Sequence, residues 1–212
     1  GGLAAITRIG GGEVRVDRAY ASPIAAWVEG DQTAVLGFGF QDVTGPMTLT
    51  KTVRVRNYSS TARTYAIQPT FRYANDETNG AVSASAPATV AVGAKADATF
   101  TVTLKVDPTK LPAWTLDSGA QGANADLLTL LEYDGYVWLD DQGTTADDAD
   151  PAHLPWQVLP RAAAHVTLSS NGTSLTNGGQ AADLELYSLM ATSPNDPASS
   201  VPGDNVSDAD FK

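Results

Sequence analysis

The sequence contains no cysteine. That excludes disulfide bridges and thiolate metal sites, and a domain without them must draw its stability from the size of its core. With only two histidines, His153 and His165, a zinc site is not expected either. No apolar run approaches the ~20 residues needed to cross a bilayer, so no membrane insertion is expected. The first seventeen residues lack the basic start and continuous apolar centre of a secretory leader. Basic residues are scarce: thirteen Lys and Arg stand against twenty-four Asp and Glu, a formal charge of −11. A polyanion would meet net repulsion, so nucleic acid is not an expected partner.

What is present is strand and turn chemistry. The 212 residues include nineteen glycines, and Val, Thr, Ala and Tyr recur in short runs. Period-two alternation marks Val35–Phe40 and, more clearly, Met47–Asn57, with the Gly45-Pro46 turn between them predicting that these two strands pair. Thr64–Tyr73 continues the pattern, and its Pro69 predicts an edge strand or a bulge. Ala88–Val92 and Ala96–Val106 follow, the latter alternating without a break. Residues 107–124 read as a long connection, and 124–131 as one short helix capped by Asn124. Glu132–Leu139 and Leu154–Pro160 then flank an acidic loop as a hairpin. Short strands at this spacing predict an all-β fold, an antiparallel β-sandwich of fibronectin type III or immunoglobulin-like form. The expected division is a leading segment at 1–18, the sandwich at 19–166, and extra strands with linker-like sequence at 167–212, as in a piece of a longer protein.

Several residue groups were candidates for chemistry. Asp117, then His153 or His165, then Ser174 follow the order of a subtilisin-type triad, but Leu175–Gly179 cannot form the helix that the nucleophile should open. No catalytic residue is therefore assigned. Asp140, Asp141, Asp147, Asp148 and Asp150 supply carboxylate oxygens in an acidic loop at 140–150, the one place with the chemistry of a calcium site, although the spacing is not that of an EF-hand. No other cofactor is expected. Trp27, Trp114, Trp138 and Trp156 could stack on sugar rings, but the strand positions of Trp138 and Trp156 predict core packing and leave Trp114 as the exposed aromatic. Asn57, Asn171 and Asn205 match the glycosylation acceptor pattern and are read as coincidental.

Ile6–Ala19 at the start and Leu154–Ala162 late in the chain together resemble large secreted subtilases. In that family a Gly-rich phrase ending in Val-Asp and Ala closes the peptidase domain, and a fibronectin type III-like sandwich follows. Thr50–Asn57 is similar to the family's Thr-Lys-Thr-Val-x-Val-x-Asn strand, and Glu132–Val137 to its Glu-x-x-Gly-x-Val strand. The resemblance spans residues 6–166. It implies a non-catalytic accessory domain directly after a secreted, extracellular subtilisin-like serine endopeptidase domain, with that domain as its partner in the same polypeptide. Protein substrate or a cell-surface glycan is a further partner that such a module would meet; an independent glycan- or protein-binding module is the alternative.

Overall fold

The computed structural model describes residues 4–114, 125–143 and 152–163. Among the described residues nine strands form two facing sheets: β1 (Ile24–Val28), β2 (Leu36–Val43), β3 (Met47–Asn57), β4 (Arg63–Phe71), β5 (Val82–Ser85), β6 (Thr89–Val92), β7 (Asp97–Val106), β8 (Tyr133–Asp141) and β9 (Ala152–Ala162). Four short helices accompany them: α1 (Ile6–Ile9), α2 (Val16–Ala21), α3 (Ala74–Asn79) and α4 (Ala125–Leu131). One sheet has the order β1-β3-β7-β5 and the other β2-β9-β8-β4-β6. This is the immunoglobulin-like sandwich that the alternation predicts. The β8–β9 hairpin forms in register from Tyr133 opposite Val158 to Leu139 opposite Ala152, and the short helix at 125–131 is present. Asn124 lies outside the described residues.

The strand patterns place the core. On β3, Val53, Val55 and Asn57 point inward while Thr48 and Thr50 face out; on β7, Phe100, Val102, Leu104 and Val106 alternate with Thr99, Thr101 and Lys105. From the other sheet, Leu36, Tyr65, Ile67, Val137, Leu139, Leu154, Trp156 and Val158 close the same core. β2 and β3 do not pair, contrary to the turn reading. β3 lies between β1 and β7, whereas β2 joins the opposite sheet and runs parallel to β9. Within the β2–β9 pairing the register shifts at a bulge between Gly37 and Gly39, where Gly39 takes a φ of 69° that a side chain would strain. Pro69 sits opposite Val137 in a strand that is interior to the sheet. It is tolerated because β6 pairs with β4 only from Arg63 to Ala66, so β4 is locally an edge at Pro69.

Among the described residues Trp156 is the largest fully buried side chain. Its ring packs edge-on against Phe71 at 5.0 Å, and its indole N–H donates to the Thr70 carbonyl oxygen at 3.0 Å, two strands away on β4. To get there it passes over Gly135 on β8, the residue directly opposite it. A Cβ on Gly135 would lie 1.8 Å from the Thr70 oxygen and 2.6 Å from the indole nitrogen. Glycine is thus required for space.

Gly135→Ala is expected to destabilise the fold by about 3 kcal/mol or more, since it clashes with backbone and removes the indole bond together. Trp156→Phe, which keeps the ring but deletes the N–H, should cost about 1–3 kcal/mol. Urea unfolding of the two variants checks both the order and the size.

Candidate functional site

The outer faces of the two sheets differ. That of the four-stranded sheet is polar, with Thr48, Thr50, Thr99, Thr101 and Lys105 exposed and a surface run of ion pairs from Glu29 through Arg54 and Asp97 to Arg56. Such exposed pairs contribute little and point to a solvated surface. The outer face of the five-stranded sheet carries Tyr136, Trp138, Pro155, His153 and Asp134, and the N-terminal segment lies across part of it.

Strand alternation explains why charges sit there. Glu132 and Asp134 are two residues apart and so lie on the same side of the chain as it enters β8. The Ile6 N–H donates to Asp134 Oδ2 at 2.7 Å; the Thr7 N–H and hydroxyl donate to Glu132 Oε1 and Oε2 at 3.2 and 2.6 Å. Arg72, just past β4, donates to the same Asp134 Oδ2 at 2.7 Å. Ala5 and Ile6 are buried by the docking, Gly11 packs on Pro155, and the Gly11 carbonyl lies 3.0 Å from His153 Nε2. The N-terminal segment is therefore latched to the sandwich by two buried carboxylates, one of which, Asp134, is also ion-paired with Arg72.

The rest of this segment is turned outward. Among described residues, α2 buries none of its side chains, and Val14, Val16 and Tyr20 are 83%, 72% and 94% exposed. Ile9 is half exposed. The segment thus combines a backbone bonded at Ile6 and Thr7 with apolar side chains left exposed at Ile9, Val14, Val16 and Tyr20.

Behind the latch, Asp76 of α3 is buried close enough to Asp134 to feel its charge. Asn75 donates to Asp76 Oδ1 at 3.2 Å, while Asp76 Oδ2 and Asp134 Oδ1 have no hydrogen-bond partner among the described residues. Burial, then the Asp134 charge, raises the Asp76 carboxyl to about 6. Burial likewise raises Glu132 and Asp134, against the lowering effect of their hydrogen bonds to the latch and of Arg72. Three carboxylates around one guanidinium make the region poorer in positive charge than burial tolerates, and a proton offsets this.

The sequence candidates distribute as follows. His153 is exposed on β9 and held by Gly11, with no carboxylate or hydroxyl of the described residues bonded to it; Asp117, His165 and Ser174 lie outside the described residues. Of the acidic loop, Asp140 and Asp141 belong to β8, and Asp141 is ion-paired with Arg63. Asp147, Asp148 and Asp150 lie outside the described residues, and among the described residues no group of three acidic or histidine side chains is placed to hold a metal ion. Trp156 is core, as expected. Trp138 is not: it faces outward beside Tyr136 and His153, since it shares the face of Tyr136 on β8. Trp114 is half-buried, packed edge-on against Phe40 at 5.8 Å and under Arg161, so it is not the exposed aromatic. Asn57 is fully buried; its amide donates to the Thr61 and Gly93 carbonyls and its Oδ1 accepts from the Ser59 N–H. That closes the turn after β3 and removes it as a glycan acceptor, while Asn171 and Asn205 lie outside the described residues. The latch itself was missed. Its available signal was a pair of acids at i and i+2 entering a strand that is otherwise apolar.

The sequence matches no protein-family model and no curated protein. Solved structures similar to it include a FixG-related protein from Vibrio parahaemolyticus, 14% identical with a TM-score of 0.40 over 66% of this chain and 98% of that one. The CooA pilin subunit from enterotoxigenic Escherichia coli is 11% identical, TM-score 0.39, over 67% and 99% of the two chains. The secreted serine protease VesC from Vibrio cholerae is 6% identical, TM-score 0.36, over 63% of this chain and 22% of its own. At this distance none of them bears on activity. No helix among the described residues is long and apolar enough to cross a membrane.

The raised Asp76 carboxyl sets a pH dependence. Its folded value lies above the unfolded one of about 4, so its stabilising contribution is complete below that value and is lost as pH rises through about 6. Glu132 and Asp134 act in the same direction. The melting temperature should therefore rise between pH 7.5 and pH 5, and Asp76→Asn should flatten the profile and stabilise the protein at pH 7.5, by on the order of 2 kcal/mol. Thermal melts of both proteins across that range test the sign.

Proposed function

We propose that the chain is a non-catalytic accessory module of a secreted subtilisin-like serine endopeptidase and that its N-terminal segment forms the joint with the peptidase domain. The observation that carries this reading is the two-sided character of that segment. Residues 5–7 are bonded to Glu132 and Asp134, while Ile9, Val14, Val16 and Tyr20 present apolar surface outward. A flexible tether needs neither feature. A joint needs both: backbone fixed on one body, and apolar area offered to the other, as inter-domain interfaces are built. The peptidase identity of the neighbour rests on the order of the Ile6–Ala19, Thr50–Asn57, Glu132–Val137 and Leu154–Ala162 motifs.

In this role the module contributes stability and orientation to the peptidase domain and shapes access of protein substrates, with the chemistry supplied by the partner. The sandwich presents a preformed surface, which lowers the ordering cost of association.

The double variant Val16→Asp, Tyr20→Asp should leave the unfolding free energy of the isolated chain within about 0.5 kcal/mol of the parent, because both side chains are exposed. In a polypeptide carrying the peptidase domain, the same variant should lower that domain's thermal stability and its cleavage of a protein substrate. If the peptidase domain melts and cleaves identically with the module intact, altered and deleted, the proposal is wrong.

A further inference from the structure

Beyond the latch, the outer face of the five-stranded sheet carries an aromatic cluster that lies outside the core and meets the N-terminal segment at His153. Tyr136 and Trp138 succeed each other on one face of β8; His153 stands opposite Trp138 on β9, and Gln68 stands opposite it on β4. The ring centroids are 5.5 Å apart for Tyr136 and Trp138, 4.7 Å for Trp138 and His153, and 5.0 Å for Tyr136 and His153. His153 is exposed and the other two rings are partly so. The indole N–H of Trp138 donates to Thr70 Oγ1 at 3.1 Å, and His153 Nε2 lies 3.0 Å from the Gly11 carbonyl. The indole N–H and one imidazole nitrogen are thereby engaged within the protein. Their orientation is fixed before any ligand arrives, and ring surface is what they have left to offer.

Along β8 the same face turns polar. Asp140 is exposed and accepts from the Gln142 side chain, and beyond it lies an open cleft of about 390 Å³ lined by Thr61, Thr64 and Gln142 and by the Arg63–Asp141 ion pair. From Tyr136 to Gln142 the face runs for about 20 Å at the rise of a strand.

Ring faces beside amide, carboxylate and hydroxyl groups suit a ligand with C–H bonds on its flat side and hydroxyls at its rim, which is the chemistry of a sugar ring. An apolar peptide would bury Gln68 and Asp140 without partners. An anionic polymer would meet Asp140 and a chain of charge −11, with the cleft's arginine already bound to Asp141. A quaternary ammonium needs a gap between ring faces, and these rings touch one another. We propose that the outer face of β4 and β8 binds a neutral oligosaccharide, which stacks on Trp138, Tyr136 and His153 and bonds through its hydroxyls to Gln68 and Asp140. The site borders the joint at His153, whose Nε2 lies 3.0 Å from the Gly11 carbonyl; Trp138 and Gln68 are not bonded to the N-terminal segment, so their variants test the site apart from the joint.

Affinity electrophoresis of the 212-residue chain in gels containing soluble β-1,3-glucan, hydroxyethyl cellulose, mannan or, as the anionic counterpart, carboxymethyl cellulose tests the assignment. At least one neutral polymer should retard the chain. Trp138→Ala should weaken that retardation about tenfold, and Gln68→Ala should weaken it by less while leaving the rings in place. Tyr58→Ala, at an exposed tyrosine in the turn after β3, should change nothing. Circular dichroism establishes which variants are folded, and Gln68→Ala decides the matter if Trp138→Ala is not. The proposal is overturned by any of three results: no retardation by any neutral polymer, retardation by the anionic polymer alone, or retardation indifferent to both Gln68→Ala and a folded Trp138→Ala.

Discussion

Thr70 accepts the N–H of two tryptophans from opposite faces of the same sheet: Trp156 from the core side at its carbonyl, and Trp138 from the outer side at its hydroxyl. The inner contact is the constraint on which the five-stranded sheet depends. The indole crosses a whole strand to reach that carbonyl, and β8 can be crossed there because Gly135 has no side chain. Gly135, Trp156 and Thr70 therefore lock β4, β8 and β9 into one register. A slip of one residue would put the indole against a Cβ and leave a buried donor unmade, on top of turning every side chain to the wrong face.

With the register held, the outer face acquires two distinct regions. Toward the start of β8, Asp134 is directed at Arg72 and at the N-terminal segment; toward its end, Trp138 meets His153 and Gln68. Gly11 links them, since it packs on Pro155 and its carbonyl holds His153. The buried acids beneath the latch stand at the opposite extreme from the surface ion pairs of the other sheet. Removing a carboxylate from water is costly, and here three are removed with one arginine to compensate. Their elevated proton affinity is the physical outcome of that imbalance.

Much of the fold was legible because it is written in period two. Met47–Asn57 and Ala96–Val106 bury one face and expose the other, and the hairpin around the acidic loop follows from two apolar runs flanking polar sequence. What alternation does not encode is which strands become neighbours: Gly45-Pro46 signals a turn, yet β2 and β3 belong to opposite sheets, β2 joining β9 in parallel. Alternation also leaves the sign of the face open for aromatics. Trp138 and Trp156 both sit in strand patterns, but only the latter has a glycine opposite it. The latch escaped because its partners are more than a hundred residues apart and because two acids near the start of a strand resemble an ordinary solvated end. The role of Asn57 was hidden in the same way, behind a motif that matches a modification signal.

The latch joins residues 125 and 128 positions apart, and that separation gives it a place in time. On the ribosome, Ile6 and Thr7 emerge roughly 6–25 s before the acids that will hold them, at ordinary rates of synthesis. Throughout that interval the arm has no sandwich to bind, and whatever contact its apolar side chains make must be with something already present. Only when β8 has been made can the backbone be fastened. The order of events is thus built into the topology: the segment is unfastened while the sandwich is made and is clamped by its own domain afterwards.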